Sequence, residues 1–395
     1  YVCSDLYTSR GFNAKDNLPE WLCSSPRFAS VMKGFLPISD NAFEVWKSAA
    51  EAWLTHKNPY TGLALIEDPV LYSLSLVNEG NLDYYWNAAP ELEALYIRKF
   101  KNWMMKKYPA EKSSANRKDR RFREFLHELQ KVLVEKQLRF LKEDLKLKAL
   151  CSDLNMQDDF PLALIRKDLD IVDSHKYHDH PQFPQKAWRY PKQYEQTSAV
   201  ANMGNNIPCQ LFASRLFGKP FCVTEYKYCY PNQYRSEGGP LIGAYAALQG
   251  WNALYHFAWS HSLKGMLEPF PAGTFDTVNE PLAQFSDRLT MFLFRRGDVK
   301  EADERCGVVI PADYWKSSLP VECPEEFRRL GLLTKIGIVS HNVPHDVSLS
   351  HAQVMGLAPL ESAPLNHAVR MMRTRKIALI TRRHTRAARD VLAFG

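Results

Sequence analysis

Several segments of the chain repeat apolar residues at the three- or four-residue spacing of a helix. Residues 40–54 form the first such segment, and Asp40 is its expected N-cap. Two more helices are expected within the long stretch 88–146, one around Phe100 and one around Phe125. Apolar patterning also predicts helices at 240–250 and 282–294; Glu280 and Pro281 suit the first turn of the latter.

Short apolar runs between these helices predict strands. In chain order the runs are 1–6, 70–77, 147–155, 169–175, 221–226 and 251–259, followed by 307–311 and 335–339. Strands that alternate with helices are typical of a sheet whose strands are parallel. The pattern therefore predicts an α/β fold.

Two of the predicted strands lead directly into carboxylates. The run 70–77 is followed by Asn78 and Glu79, and the run 221–226 contains Glu225 near its end. In a parallel barrel, polar side chains at the carboxyl ends of strands are where chemistry takes place. Two carboxyl groups about 5 Å apart hydrolyse glycosides with retention of configuration, one as acid/base and the other as nucleophile. The two strand ends are therefore candidates for this pair.

The motifs resemble those of the clan A retaining glycoside hydrolases, which are TIM-barrel enzymes. Asn78-Glu79 is similar to the Asn and acid/base Glu that end strand four, and Glu225 is similar to the nucleophile that ends strand seven. The segment 175–177 (His-Lys-Tyr) resembles the His-x-Tyr after strand six in the cellulase-type members. The segment 257–261 resembles strand eight, whose Trp stacks on the sugar.

The resemblance covers residues 1–298 and implies a (β/α)8 TIM barrel. Residues 1–6 then align with strand three, so the barrel is expected to lack its first two strands and to carry the helical excursion 88–146 after strand four. A smaller β-containing domain, as in the β-galactosidase-type members, is expected at 299–365. Residues 366–395 form a basic tail outside both.

The resemblance also implies roles for individual residues. Glu79 would be the acid/base and Glu225 the nucleophile, and Asn78 would bond the sugar 2-hydroxyl. The remaining substrate-binding candidates are His175, Tyr177 as the residue that orients Glu225, Trp259 as the sugar platform, Asn155 and Trp188. For Asn155 a turn-forming role is the alternative, and for Trp188 it is packing on the surface.

Two other arrangements of chemical groups are less favoured. Glu237 competes with Glu225 for the nucleophile role, but it precedes Gly-Gly in a loop rather than following a strand. His175, His178, Asp179 and His180 are dense enough to suggest zinc, but a strand points successive side chains to opposite faces. We expect neither a metal nor another cofactor.

Charge, apolar runs and cysteine content limit the classes of partner that the sequence predicts. The formal net charge is +7, and residues 366–395 hold seven Arg and one Lys against one Asp, which accounts for the whole excess. The predicted barrel therefore gives no sign of a nucleic-acid partner. No apolar run reaches the ~20 residues that cross a bilayer. Eight cysteines without a Cys-x-x-Cys leave the redox compartment and the location open, with a lean to a reducing, cytoplasmic one.

The expected substrate is therefore an oligosaccharide, a polysaccharide or another glycoside. The alternative from a different class is a carbohydrate-binding or scaffold protein on an inactive barrel, because a fold alone does not establish activity. The identity of the sugar, the linkage and the oligomeric state remain open from the sequence.

Overall fold

The computed structural model describes residues 17–202, 206–269, 271–303, 305–340, 343–344 and 352–355. These residues divide into two compact units. The first comprises 17–157 and Leu164–Asp173, and the second comprises Asp158–Ala163 and the described residues from Ser174 onward. The strand expected at 1–6 and the tail 366–395 lie outside the described residues.

The helices of the described residues are, in chain order, α1 Glu20–Cys23, α2 Phe28–Phe35, α3 Asp40–Thr55, α4 Pro90–Lys107, α5 Arg120–Arg139, α6 Ala163–Arg166, α7 Cys209–Phe212, α8 Gly238–Gln249, α9 Leu263–Leu267, α10 Pro281–Arg295 and α11 Glu325–Leu330. The strands are β1 Ser73–Ser75, β2 Leu150–Ser152, β3 Val172–His178, β4 Phe221–Tyr228, β5 Ala253–His256, β6 Arg305–Ile310, β7 Lys335–Ser340 and β8 Ala352–Met355. None of these helices is long and apolar enough to cross a membrane.

Helix α3 shows why the apolar spacing is a reliable signal. Its buried residues recur at every fourth position, from Ala42 through Trp46 and Ala50 to Leu54. The N-cap is Ser39, whose hydroxyl accepts a hydrogen bond from the backbone N–H of Ala42 at 3.2 Å. The expected cap, Asp40, is instead the first residue of the helix, where its charge favours the positive end of the helix dipole.

The excursion 88–146 forms the two expected helices, α4 and α5. Pro90 stands in the first turn of α4, where its missing N–H costs nothing. Asp119 caps α5 by accepting from two backbone N–H groups. The helices join the first unit through an aromatic cluster in which Phe122 lies 4.7 Å from Trp86 and 5.0 Å from Phe100, centroid to centroid.

The strands of the described residues form three sheets, β1-β2, β3-β4-β5 and β7-β6-β8. The pairs β1-β2, β4-β5, β6-β7 and β6-β8 are parallel. The alternation of helices with parallel strands confirms the α/β class. Among the described residues no sheet closes on itself, so the eight-stranded barrel and its boundary at residue 298 stay predictions. Strands β6 and β7 lie where the sequence places them, whereas β8 was not anticipated.

Two strand ends differ from the expectation in a way that matters for the candidate site. The run 70–77 pairs as a strand over three residues only, Ser73–Ser75, although Leu76 still donates its N–H to the carbonyl of Ser152. Strand β4 continues to Tyr228, so Glu225 lies within the strand rather than at its end. Both changes affect the ends of a strand, which sequence patterns locate poorly.

Candidate active-site residues

Glu79 lies in a tight segment just after β1. Leu76 and Val77 are buried, and Asn78 and Glu79 are half-buried. The backbone of Glu79 is left-handed, with φ +52°, a conformation that costs a non-glycine residue on the order of 1–3 kcal/mol unless its surroundings hold it. The surrounding contacts of the first unit do hold this segment.

Asn155 supports the backbone of Glu79. Its side-chain oxygen accepts the backbone N–H of Glu79 at 3.0 Å, and its amide nitrogen donates to Asp173 at 3.1 Å. Both Asn155 and Asp173 are fully buried. Because both ends of the Asn155 amide bond to protein groups, we infer that Asn155 positions Glu79. The expectation that Asn155 lies near the sugar stays a prediction.

Two further contacts hold the same segment. The side-chain oxygen of Asn81 accepts the N–H of Met156 at 3.1 Å, and Gln130 on α5 accepts the N–H of Leu82 at 3.1 Å. The segment is therefore bonded on one side to the loop after β2 and on the other to α5. These contacts fix the backbone that carries the Glu79 side chain at several points.

Asp153 is the second buried carboxyl group of this region. It is fully buried at the end of β2. Burial raises the pKa of Asp153 to about 7; the backbone N–H of Leu154 lowers it, the charge of Asp173 adds to the increase, and Arg166 opposes it. The carboxyl group is therefore part protonated near neutral pH.

The raised pKa of Asp153 predicts how stability depends on pH. Between about pH 4 and pH 7 the folded chain binds more protons at this site than the unfolded chain, so the free energy of unfolding falls as pH rises. We expect Asp153→Asn to remove this dependence and to be more stable than the wild type at pH 8, by a few kcal/mol at most (about 1.4 per pKa unit). Urea unfolding at pH 4.5 and pH 8 measures both values.

Asp40→Asn is the control for this prediction, because the Asp40 side chain is exposed beside Lys136. We expect its difference from the wild type to be small at both pH values. An Asp153→Asn chain whose stability differed from the wild type by the same amount at pH 4.5 and pH 8 would contradict the assignment.

Glu225 lies on β4 in the second unit, beside strand β3. The hydroxyl of Tyr177 donates a hydrogen bond to Oε2 of Glu225. Nδ1 of His175 lies 3.6 Å from Oε1, an ion pair when the imidazole is protonated. Alternate residues of a strand point to the same face, which explains how His175 and Tyr177 both reach the carboxylate from β3. The sequence predicted these three residues as members of one site, and the structure brings them together.

Two phenylalanines that the sequence analysis did not single out lie beside this group. The ring of Phe275 is 5.2 Å from that of Tyr177, and the ring of Phe257 is 6.2 Å from it. The two phenylalanine rings are 5.8 Å apart. Phe275 stands in a segment without regular structure, where no periodicity marks an aromatic residue as functional. Phe257 was visible only as part of the motif that contains Trp259.

The two predicted tryptophans lie on the surface of the second unit. Trp259 is 55% exposed, and its carbonyl accepts the N–H groups of Thr277 and Val278. Trp188 is 63% exposed and lies among aromatic rings, 5.0 Å from Phe183. Exposure leaves both indoles accessible to a ligand. Their binding roles stay predictions.

The His-rich segment at the end of β3 forms hydrogen bonds within the protein. His178 is buried, with Nε2 2.8 Å from the carbonyl of Thr197 and Nδ1 3.0 Å from the Asn206 side-chain oxygen. The Asp179 carboxylate accepts from the backbone of Glu195 and from the amide of Asn232. These contacts tie the loop after β3 to its own far end. They give His178 and Asp179 a structural role.

A buried polar cluster stands further along β4. Lys227 donates to the hydroxyl of Thr277 at 2.7 Å, and His256 bonds Asp287 at 2.6 Å. Burial lowers the pKa of Lys227 to about 8 although Asp287 opposes the shift, and burial also lowers the pKa of His256. The cluster links the segment 276–277 and α10 to β4 and β5. No local sequence pattern indicates this cluster, because its members are far apart in the chain.

The structure also shows the contacts of the two other glutamates that the sequence analysis considered, Glu280 and Glu237. Glu280 caps α10 by accepting the N–H of Ala283 at 2.5 Å, as the capping interpretation of this second Asn-Glu expects. Glu237 accepts from the hydroxyl of Ser198 at 2.7 Å and from the N–H of Val200 at 3.0 Å. Its carboxylate therefore anchors a loop, in agreement with its rejection as the nucleophile.

The candidate residues are divided between the units as follows. Asn78, Glu79 and Asn155 belong to the first, and His175, Tyr177, Trp188, Glu225 and Trp259 belong to the second. Each unit thus contains one of the two predicted carboxylates. The backbone of Glu79 and the carboxylate of Glu225 are each held by contacts within their own unit. Together these observations define an α/β protein with a hydrogen-bonded Glu beside aromatic rings.

Comparisons with known proteins yielded structural similarities only. No protein-family model matches the chain, and no curated protein matches it. Among solved structures, an endo-β-1,4-mannanase from Thermotoga petrophila aligns over 70% of this chain and 56% of its own, with 13% identity and a TM-score of 0.39.

Two further structures are similar at the same level. A glycoside hydrolase family 5 mannosidase from Rhizomucor miehei aligns over 68% of this chain and 62% of its own, with 12% identity and a TM-score of 0.36. An exo-β-1,4-mannosidase from Opitutaceae bacterium strain TAV5 aligns over 88% of this chain and 56% of its own, with 14% identity and a TM-score of 0.38. The chain thus spans less than two thirds of the length of each, and these values do not establish its family.

Proposed function

We propose that this chain is a retaining glycoside hydrolase on a TIM-barrel fold, with Glu225 as nucleophile and Glu79 as acid/base. The observation that carries the proposal is the setting of Glu225. Its carboxylate accepts a hydrogen bond from the Tyr177 hydroxyl and faces His175, and the rings of Phe257 and Phe275 lie beside Tyr177. A carboxylate held in a fixed orientation next to apolar ring surfaces suits attack on a sugar.

In the first step, an oxygen of Glu225 bonds to the anomeric carbon while the bond to the glycosidic oxygen breaks. Glu79, protonated at this stage, gives its proton to the leaving oxygen. The products are a glycosyl ester on Glu225 and the released alcohol. The rigid backbone of Glu79, held through Asn155, supports this role because a proton donor needs a fixed distance to its acceptor.

In the second step, water attacks the same anomeric carbon. Glu79, now a carboxylate, takes a proton from the water as the ester bond to Glu225 breaks. The sugar leaves with its original configuration, and both carboxyl groups return to their starting states. Protons and bonds balance without a metal or another cofactor.

The remaining residues bind the substrate in this proposal. Asn78 bonds the sugar 2-hydroxyl, an interaction that strengthens in the transition state. Tyr177 and His175 orient Glu225. Trp259 supplies an apolar surface for the sugar. Phe257 and Phe275 are added to the predicted set, because both phenylalanine rings contact the ring of Tyr177.

The substrate class is an oligosaccharide, a polysaccharide or another β-glycoside, and an activity panel identifies the sugar. We expect turnover of an activated aryl β-glycoside in the gluco, manno or galacto series, followed by NMR to show that the first product is the β-anomer. A first product of inverted configuration would contradict the nucleophile role of Glu225. No turnover with any sugar would favour the carbohydrate-binding alternative.

Removing the Tyr177 hydroxyl tests the contact that carries the proposal. We expect Tyr177→Phe to lower kcat/KM by about 10- to 100-fold, because a hydrogen bond to a charged group contributes roughly 1.5–3 kcal/mol. Steady-state kinetics on the aryl glycoside measures the loss.

Tyr194→Phe is the matched control for Tyr177→Phe. It also removes a hydroxyl with a protein partner, at 2.7 Å from the Thr274 hydroxyl, and that partner is not Glu225. We expect its kcat/KM to stay within a few-fold of the wild type. Equal losses in the two variants would mean that Tyr177 acts through general packing and not through Glu225.

A further inference from the structure

Aromatic rings extend outward from Tyr177 across the second unit. Phe275 lies 5.2 Å from Tyr177, and Trp188 lies 6.2 Å from Phe275, centroid to centroid. His180 lies beside all three rings, at 5.6 Å from Tyr177, 5.5 Å from Phe275 and 5.7 Å from Trp188. We call Tyr177, His180, Phe275 and Trp188 the aromatic strip. Its inner end is the residue that bonds Glu225, and its outer end is an exposed indole.

Trp188 is fixed in position although most of it faces solvent. Its side chain is 63% exposed, yet its ring contacts Phe183 at 5.0 Å as well as His180. Its backbone is left-handed, with φ +64°. An indole buries more apolar area than almost any side chain, so exposure combined with an unfavourable backbone lowers stability. Backbone outliers of this kind concentrate at binding and catalytic sites, which makes a ligand-binding role the favoured explanation.

The chemistry of the strip suits carbohydrate. Ring faces stack against the C–H faces of sugars, and such surfaces work best when polar groups at their edges bond the hydroxyls. His261 and Asp276 supply polar groups at this edge: they are paired at 2.6 Å, and the His261 ring lies 6.2 Å from Phe275. Lys192 lies on the same loop as Trp188 and donates to Thr274 at 3.1 Å.

The length of the strip points to more than one sugar. In the proposed site the sugar at Glu225 lies beside Tyr177, whereas Trp188 lies one ring further out, in contact with Phe275 and His180. We propose that Trp188 and Phe275 form a binding subsite for the sugar units of an oligosaccharide beyond the unit held at Glu225. This proposal rests on the proposed glycosidase function for the position of the first sugar.

The test is direct binding, measured on the full chain by calorimetry. The ligands are β-linked gluco-, manno- and galacto-oligosaccharides of one to six units, titrated into the Glu225→Gln chain so that no ligand is cleaved. We expect affinity to rise with length for one series. Trp188→Ala in the same background should remove that rise and weaken binding of the longer ligands by about 10- to 100-fold, the range of one stacking contact.

Tyr190→Ala is the matched control. Tyr190 stands on the same loop and is 83% exposed, and its ring contacts Lys192 instead of the strip. We expect Tyr190→Ala to keep the length dependence within about two-fold. A second aromatic substitution, Trp188→Phe, should restore part of the affinity because it keeps a ring at this position. Thermal unfolding of each variant shows whether the loop stays folded.

The outcomes separate the subsite from the glycosidase proposal. Length-dependent binding that survives Trp188→Ala overturns the subsite, as does a loss of equal size for the monosaccharide and the longer ligands. A different outcome is that binding depends on ligand length and needs Trp188 while the wild-type chain turns over no sugar. That result supports the subsite and overturns the glycosidase function. Absence of binding to all three series overturns the subsite whether or not aryl glycosides are cleaved.

Discussion

Replacing Glu225 by Gln is expected to lower turnover of an activated aryl β-glycoside by at least about 10⁴-fold, or roughly 5.5 kcal/mol in the activation free energy. An amide has nearly the shape of the carboxylate and still accepts the hydrogen bond of Tyr177, so the site keeps its structure. It does not form the glycosyl ester, so the first step fails. Steady-state kinetics and thermal unfolding, measured together, separate lost chemistry from lost folding.

Glu237→Gln is the control that the chain itself offers. Glu237 lies in the same unit, and its two oxygens accept from Ser198 and from the backbone of Val200. Its replacement should lower stability by about 1 kcal/mol and leave kcat within a few-fold of the wild type. Should Glu237→Gln abolish turnover and Glu225→Gln retain it, the nucleophile assignment is wrong.

The mass of the trapped enzyme gives a second, independent measurement of the Glu225 role. An activated 2-deoxy-2-fluoro glycoside should leave one sugar on the wild-type chain, since slow hydrolysis lets the ester accumulate. Peptide mapping should place that sugar on Glu225, and the Glu225→Gln chain should carry none. If the sugar is found on another residue, that residue and not Glu225 is the nucleophile.

Local spacing predicted the helices well because it reports directly which face is buried. Residues 40–54 were expected to be helical, and α3 spans Asp40–Thr55 with Trp46 fully buried. The two helices within 88–146 were likewise expected. The N-cap was misplaced by one residue, since Ser39 and Asp40 are both good caps and only the backbone geometry separates them.

Strand lengths were predicted less well, because pairing depends on a partner that lies far along the chain. The run 70–77 pairs over Ser73–Ser75 only, since its partner strand β2 is itself three residues long. Strand β4 extends through Tyr228, beyond the six residues expected from its apolar pattern. The position of Glu225 within its strand follows from that extension and was therefore missed.

The candidate residues likewise divide into those that a local motif identifies and those that depend on contacts far along the chain. Motif order along the chain was enough to select His175, Tyr177 and Glu225, which the structure brings together. The support of Glu79 by Asn155 joins positions 76 residues apart, and no local pattern encodes such a contact. Phe275 and the left-handed backbone of Trp188 were also invisible, because isolated aromatic residues in loops carry no periodic signal.

The acid/base role of Glu79 leads to a second large effect. We expect Glu79→Ala to lower kcat for an activated aryl β-glycoside by about 10²- to 10⁴-fold, the usual contribution of general acid–base catalysis. A good leaving group needs little protonation, so the first step continues and the glycosyl ester on Glu225 accumulates. The second step is slow, because no carboxylate activates water.

Azide should restore turnover in the Glu79→Ala chain. It is an anion that attacks the anomeric carbon without a general base, and the removed side chain leaves room for it. The product is then a β-glycosyl azide, which has the configuration of the substrate, and NMR identifies it. Azide should not accelerate the wild type in the same way, because the Glu79 carboxylate repels an anion and already activates water.

Glu67→Ala is the matched control for this experiment. Glu67 is an exposed carboxylate in the same unit, twelve positions earlier, and accepts the N–H of Ala64 at 3.2 Å. Its removal should leave turnover unchanged with or without azide. Rescue that is absent in Glu79→Ala, or that yields an α-glycosyl azide, would remove Glu79 from the mechanism. A β-azide formed only by Glu79→Ala would assign the acid/base, and with it the retaining mechanism, to this chain.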